Sequence, residues 1–179
     1  MPGKQKVSYA GLELEVEPIP EERGIYFTDE SPEFILKIHN TLNKRIKSSG
    51  QGAIIWFYGF GSGSPEAMTY GPPITFDVEP KGTIERKIGN KLLGYQGNGT
   101  IGILTARQKD VIQSENDQER ILKLPPMGRN YETLYTFTVM EREFYRKIYE
   151  YPTKLAKIMT ILTILIAIFT AISLYQLSQ

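Results

Sequence analysis

Residues 158–177, IMTILTILIAIFTAISLYQL, form a run without a single charged side chain near the C-terminal end of the sequence. At the helical rise of about 1.5 Å per residue, this run reaches roughly 30 Å, which is the thickness of the hydrocarbon core of a bilayer. A helix that packs on a soluble domain shows a polar face, and no such face is present in this run. The pattern therefore predicts one membrane-spanning helix.

Two other interpretations of this run were weighed against a permanent anchor. A buried central helix of a soluble protein is disfavoured because the run lies at the end of the given sequence. A cleavable lipid-anchor signal needs a small-residue cleavage site and a polar spacer upstream. The sequence has Lys154 and Lys157 there instead, so a permanent transmembrane helix is expected.

The charges on either side of the run predict its orientation. Residues 173–179 carry no charge, whereas the N-terminal flank carries Arg142, Arg146, Lys147, Lys154 and Lys157. The positive-inside rule then places the N-terminal domain in the cytoplasm, as in a tail-anchored, single-pass protein. Residues 1–18 hold no apolar run of the length that a secretory signal needs. The alternative is an exported cell-surface domain with a C-terminal anchor.

The composition of the chain narrows the class of protein further. The 157 residues before the apolar run suit one domain with a real core. The formal net charge of +1 is made of mixed acidic and basic residues, so no basic field is present to bind nucleic acid. The chain has no cysteine, which removes disulfides and thiolate metal sites and suits a reducing cytoplasm.

Alternation of apolar and polar residues predicts strands through most of this domain. Leu12, Leu14 and Val16 alternate with glutamates, and residues 33–41 repeat the pattern. Residues 53–60, AIIWFYGF, are apolar throughout, which is typical of a central strand with Trp56 in the core. Further strands are expected at 25–27, 74–78, 83–88, 92–95, 100–105 and 131–140, and a polar loop at 43–52.

Many short strands with turns between them favour an all-β fold, an immunoglobulin-like antiparallel β-sandwich. The predicted divisions are a frayed N-terminus at 1–10, the β-sandwich domain at 11–140, a juxtamembrane segment at 141–157 and the transmembrane helix at 158–177.

The juxtamembrane segment, EREFYRKIYEYPTKLAK, interleaves aromatic with basic side chains. Rings of this kind can lie at the headgroup level of a bilayer while basic residues face anionic lipid. The residues expected at the membrane interface are Arg142, Phe144, Tyr145, Arg146, Lys147, Tyr149, Tyr151, Lys154 and Lys157. The other interpretation is a last strand that passes into a helical stalk.

Within the transmembrane run, Thr163, Ala167 and Ala171 recur every four residues. Small side chains on one face let two helix backbones approach closely in lipid, so these residues are expected to pack against another helix. The alternative is that threonine and alanine are simply common in spanning helices.

The sequence contains no complete motif for nucleotide or calcium binding. Gly59, Gly61 and Gly63 follow a strand but lack the Gly-Lys-Ser or Gly-Lys-Thr of a phosphate-binding loop. The acidic residues between 110 and 119 do not match a calcium-binding loop. Neither a cofactor nor a metal ion is expected.

Catalytic motifs and the glycosylation sequon are equally unconvincing. His39 is the only histidine, and no serine lies in the G-x-S-x-G context of a hydrolase. The sequon at Asn98 has no meaning in the cytoplasm and predicts a turn. We therefore expect a protein that is not an enzyme, the alternative being a membrane-bound hydrolase or transferase.

The long polar segment 107–130 is the expected partner-binding loop, because long loops in compact domains are often functional. Its apolar residues Ile112, Ile121 and Leu122 are candidate anchors, and the aromatic segment 56–70 is a second surface. The sequence thus predicts a non-catalytic, membrane-anchored module, an interaction or accessory subunit of a membrane complex. Its expected partners are membrane lipid and a protein that binds loop 107–130 or the transmembrane helix.

Overall fold

A β-sheet unit and a helical unit make up the chain. The structure, a computed structural model, describes residues 4–19, 24–60, 68–89, 96–126 and 130–177. The two units are Met1–Met140 and Glu141–Gln179. The first is mostly β-sheet and the second contains an apolar helix. The prediction of a β domain followed by one apolar C-terminal helix is confirmed at this level.

Thirteen strands and one short helix are described in the first unit. In chain order the elements are β1 (Val7–Tyr9), β2 (Leu12–Ile19), β3 (Ile25–Phe27), β4 (Glu33–Asn40), β5 (Arg45–Ser48), β6 (Trp56–Phe60), β7 (Met68–Tyr70), β8 (Asp77–Val78), β9 (Thr83–Gly89), β10 (Gly97–Thr105), α1 (Gln108–Val111), β11 (Ile112–Glu115), β12 (Glu119–Leu122) and β13 (Asn130–Met140).

The strands form three sheets. One has the order β1-β2-β4-β9 and is antiparallel throughout. The second has the order β3-β13-β10-β6-β7, in which β3 runs parallel to β13 and the other pairs are antiparallel. The third has the order β11-β12-β5-β8, with a parallel pair between β12 and β5.

Aromatic rings join the first two sheets across a common core. Phe34 on β4 is fully buried, and its ring centroid lies 5.9 Å from those of both Tyr135 and Phe137 on β13. The ring centroid of Tyr58 on β6 lies 6.2 Å from that of Phe34. Since burying such a side chain contributes about 1.5–3 kcal/mol, this cluster accounts for much of what holds the two sheets together.

The third sheet corrects two sequence predictions. The polar loop predicted at 43–52 contains β5, and the irregular loop predicted at 107–130 contains α1 and the β11–β12 hairpin. Both segments were missed because each buries only a few apolar side chains, such as Ile46 and Leu122. Ion pairs between neighbouring strands also connect this sheet. Lys47 Nζ, for example, lies 3.0 Å from Glu119 Oε2.

The N-terminal prediction is also wrong for the residues described. Residues 1–10 were expected to fray, but β1 pairs with β2, and the Gln5 amide donates to the Leu134 carbonyl at 2.9 Å. Val7 and Tyr9 are buried, so two apolar side chains at period two hold this short strand in place. The predicted strand at 92–95 lies outside the described residues.

We expect Gly71→Ala to destabilise the domain by about 1–3 kcal/mol, because a methyl group at this position overlaps the indole ring of buried Trp56. The matched control is Gly50→Ala, where an added methyl group meets nothing within 4 Å. Urea unfolding followed by tryptophan fluorescence should show a lower midpoint for the first variant only. Equal midpoints for both variants would contradict the packing described.

Candidate functional site

The helical unit runs from Glu141 to the end of the described chain. It consists of α2 (Arg142–Tyr145), a π-helical turn (Arg146–Glu150) and α3 (Tyr151–Leu177). The Tyr145 amide donates to the Glu141 carbonyl at 3.0 Å, which starts the first turn. With 27 residues, α3 spans about 40 Å, more than a hydrocarbon core requires.

Apolar side chains of α3 are exposed on every side. The exposed fraction ranges from 44% at Leu165 to 67% at Phe169, and the most apolar window of the helix has no buried residue. Within the described residues, this is the one helix long and apolar enough to cross a membrane. A helix with no polar face and no buried face needs an apolar surrounding outside itself.

The threonine hydroxyls of α3 are satisfied inside the helix. Thr160, Thr163 and Thr170 each donate to the carbonyl four residues earlier, at 2.8–2.9 Å. Such back-bonding removes the cost of placing a hydroxyl in hydrocarbon, where water is not available. The polar residues of the run are therefore compatible with lipid.

The residues predicted at the membrane interface are brought together on the first turns of the helical unit. Most of them are exposed, Tyr145 being half-buried. The rings of Tyr145 and Tyr149 are tilted by 31° with centroids 5.1 Å apart, and Phe144 and Tyr151 are about half exposed. The members of this set are Arg142, Phe144, Tyr145, Arg146, Lys147, Tyr149, Tyr151, Lys154 and Lys157.

Sequence reasoning overlooked the acidic partners of these basic residues. Lys147 Nζ lies 3.3 Å from a Glu143 carboxylate oxygen, and a Glu150 carboxylate oxygen lies 4.0 Å from Arg146 Nε and 3.6 Å from Lys154 Nζ. These are i,i+4 pairs, so the spacing of opposite charges on a helix was the available signal. Exposed pairs of this kind contribute little stability but reduce the net positive charge of this segment.

The small residues predicted to pack against another helix lie on α3. Thr163 and Ala167 are four residues apart and share a face, and Ala171 follows in the same helix, with its side chain outside the described part. Ala156, Thr160 and Thr170 extend the row at alternating spacings of three and four residues. We call residues 156, 160, 163, 167, 170 and 171 the small-residue seam.

Residues weighed for catalysis do not converge in the part that the structure describes. His39 Nδ1 lies 2.9 Å from the Thr83 hydroxyl on the outer face of the first sheet. Ser114 is exposed on β11, whereas Gly61, Gly63 and Ser62 lie outside the described residues. Asn98 is exposed but belongs to β10, so the turn predicted there is wrong.

The acidic residues of 107–130 hold the hairpin in place. Glu115 accepts hydrogen bonds from Arg120 at 2.7 Å and Lys44 at 2.8 Å, and these cations keep the pKa of its carboxyl below the ordinary value. Among the described residues, no group of three or more histidine, aspartate or glutamate side chains could hold a metal ion. The contacts described for these carboxylates therefore indicate a structural role.

The candidate apolar anchors of this segment are placed differently from the prediction. Leu122 is fully buried, Ile112 packs against the core and Ile121 is half-buried. Leu122 and Ile112 are therefore not available as anchors, whereas Ile121, the neighbour of Leu122 on the strand, lies on the opposite face and is only half-buried. The exposed part of the hairpin is the polar tip at 113–118.

The described parts of the aromatic segment 56–70 are two paired strands, β6 and β7. Trp56 on β6 is buried, as the sequence predicts. On the outer face of this sheet, the Tyr70 and Tyr131 hydroxyls lie 3.4 Å apart, and that hydrogen bond together with burial raises the pKa of Tyr70. The Phe57 ring lies beneath them, 5.5 Å from that of Tyr131.

A cleft of about 430 Å³ lies beside β9, between the first sheet and the segment after β7. Its apolar lining comes from Trp56, Pro72, Pro73, Ile74 and Ile88. Charged side chains of Glu33, Arg86 and Lys87 surround it. Sequence reasoning did not single out this cleft, because its walls come from segments far apart in the chain.

Comparisons with known proteins add little. No family model matches the sequence, and no curated protein matches it. Fifteen chains of solved structures match, among them a β-glucosidase from Erythrobacter marinus with 11% identity and a TM-score of 0.44. That match covers 72% of this chain and 15% of the β-glucosidase chain, and it carries no argument about fold or function.

Proposed function

We propose that this protein is a non-catalytic β-sandwich module held on a membrane by α3, and that it acts as an interaction or accessory subunit of a membrane complex. The observation that carries the proposal is the exposure of apolar side chains all round α3. The β unit has its own closed core, in which residues such as Phe34 and Leu36 are fully buried. The apolar surface of the helix is therefore best explained by lipid.

An immunoglobulin-like arrangement is part of this proposal, and the strand order supports it. In that fold, strands A, B and E share one sheet while C, F and G share the other. The orders β2-β4-β9 and β13-β10-β6 correspond to these sets when the strands are taken in sequence. Buried Trp56 on β6 stands where such domains carry a core tryptophan. Sandwiches of this type commonly serve as recognition modules.

We further propose that the β unit lies on the cytoplasmic side of the membrane. The support is the excess of Lys and Arg before α3, since acidic neighbours contribute little to the positive-inside rule. The half-exposed rings of Phe144, Tyr149 and Tyr151 suit the headgroup region, where an aromatic ring can keep one end wet.

Two surfaces are proposed for protein partners. One is the polar tip of the β11–β12 hairpin at 113–118, which replaces the apolar anchors first expected in 107–130. The other is the small-residue seam of α3, which lets a second helix approach closely in lipid. The hydroxyls of the seam bond to their own helix, so its packing rests on close contact of small side chains.

The anchor and its orientation can be tested together, because the chain has no cysteine of its own. We expect the full chain to stay in the membrane pellet after alkaline carbonate extraction. A single cysteine introduced by Lys109→Cys should react with a membrane-impermeant maleimide only after the cells are permeabilised. The matched variant Ser178→Cys, in the C-terminal tail, should react in intact cells.

The reverse labelling pattern, or a glycan on Asn98, would establish an exported domain. Release of the full chain by alkaline carbonate would contradict a membrane anchor.

The helix-packing proposal is tested with Ala167→Leu and Ala171→Leu together. Bulk on the seam should weaken helix association by about 1 kcal/mol, seen as loss of crosslinked species in membranes. Leu165→Phe adds bulk about half a turn away from Thr163 and Ala167 and serves as the control. If both variants crosslink like the parent chain, α3 is an anchor that packs with no other helix.

A further inference from the structure

The strand β9 forms one edge of the first sheet. It pairs with β4 on one side, and no described strand pairs with its other side. An edge strand carries a row of backbone N–H and C=O groups that another strand can bind. Natural sheets protect such edges with charges, and β9, whose sequence is TIERKIG, is rich in charge.

The strand register assigns each side chain of β9 to a face. Ile84, Arg86 and Ile88 stand opposite Ile38, Leu36 and Phe34 of β4, which are fully buried on the core side. Side chains directly opposite each other share a face, so Arg86 occupies a core-facing position between two isoleucines. A charge turned inward on an edge strand opposes pairing with a neutral strand.

The Arg86 guanidinium differs from those of Arg45 and Arg120 in the kind of partner it contacts. Arg45 and Arg120 each contact a carboxylate, at 2.6 Å and 2.7 Å. Arg86 instead donates to two backbone carbonyls, those of Glu85 at 2.9 Å and Thr75 at 3.4 Å. No carboxylate in the described part of the chain pairs with it. Exposed Arg86 thus offers a cation at the mouth of an apolar cleft.

We propose that β9 and the adjoining cleft form a docking edge for an extended segment of a partner protein, with a carboxylate opposite Arg86. Backbone hydrogen bonds along the edge supply affinity, and alternate side chains supply specificity. Arg86 then rejects uncharged or basic strands and selects an acidic one, which is how a repulsive group creates specificity. This inference rests on the proposed function as an interaction module.

A second copy of this chain is a poorer occupant than a different protein. Antiparallel pairing of two β9 strands centred on Arg86 does match Glu85 with Lys87 and Ile84 with Ile88. It also sets Arg86 against Arg86 on the core side, and like charges directly opposite each other are destabilising. A partner strand with an acid at that position forms the same pairs without the repulsion.

The pairing predicts the chemistry of the partner segment. Read from its N-terminus in the antiparallel direction, it has an apolar residue opposite Ile88, then two acidic residues opposite Lys87 and Arg86. A basic residue opposite Glu85 and an apolar residue opposite Ile84 complete it. The order is apolar, acidic, acidic, basic, apolar.

The test uses the full chain in phospholipid nanodiscs and a fluorescein-labelled peptide, Thr-Val-Glu-Glu-Lys-Val-Thr with blocked ends, followed by fluorescence anisotropy. Binding should be saturable and should alter the emission of Trp56, the only tryptophan in the chain, which lines the cleft. Replacing the second glutamate of the peptide by lysine should weaken binding about tenfold or more, a difference of about 1.4 kcal/mol.

Variants of the chain separate this docking edge from general charge effects. Arg86→Glu should reverse the preference, so that the lysine peptide binds better than the glutamate peptide. Lys109→Glu changes the net charge equally at an exposed position on α1 and should leave both affinities unchanged.

Equal affinity for the two peptides, an unchanged preference in Arg86→Glu, or the same change in Trp56 emission with free glutamate alone would overturn the proposal. The last result would make the cleft a small-anion site. Because these measurements start from chain already inserted in nanodiscs, a negative result rejects the docking edge while the membrane anchor stands or falls by its own labelling test.

Discussion

The apolar surface of α3 is the constraint on which the account depends. Nine large apolar side chains between Ile158 and Phe169 are 44–67% exposed. Full burial of one such side chain contributes about 1.5–3 kcal/mol. Transferring the exposed area of the whole set out of water would therefore gain on the order of 10 kcal/mol. That amount is comparable with the whole stability of a typical domain, about 5–15 kcal/mol. The proposed bilayer would remove this penalty, and hydroxyls that bond within the helix are compatible with it.

The β unit follows a different physical rule. Its alternating strands turn apolar residues to one side, and the rings around Phe34 join the two larger sheets. The small third sheet depends more on charge, with ion pairs such as Lys44–Glu115 fixing the hairpin. A domain that completes its own core leaves its loops and edges free for recognition, and β9 is the edge that we propose as a docking site.

Sequence patterns were sufficient where burial alone decides the structure. Strict alternation located β2, β4 and β13, and the charge-free run located α3, because each buries or exposes one class of side chain along its length. The short strands β1 and β5 were missed because two buried residues at period two in β1, and one buried residue in β5, make too weak a signal. The β11–β12 hairpin was missed because its partners, Lys44 and Lys47, lie far away in sequence.

The docking edge shows a signal that was present but not used. In the strand predicted at 83–88, Ile84 and Ile88 alternate with the charged residues Glu85 and Lys87. Arg86 lies between the two isoleucines and therefore on the same face of the strand. A charged residue at an apolar position of a strand is informative. Either it is paired with an opposite charge, or it lies on an edge strand, where it opposes pairing with another strand. That no carboxylate of the described residues pairs with Arg86, and that a cleft lies beside it, could be recognised only from the fold, since Trp56 and Thr75 come from other segments.

Lipid contact of α3 is tested most directly by spin labels placed one at a time along residues 151–170 in lipid vesicles. Collision rates with oxygen, which partitions into hydrocarbon, are compared with those of a water-soluble nickel chelate. The account predicts that oxygen contact rises and nickel contact falls from Tyr151 toward Leu165, on most faces of the helix. High nickel contact at Leu165, or a strong helical period with one face open to water, would contradict a membrane-spanning α3.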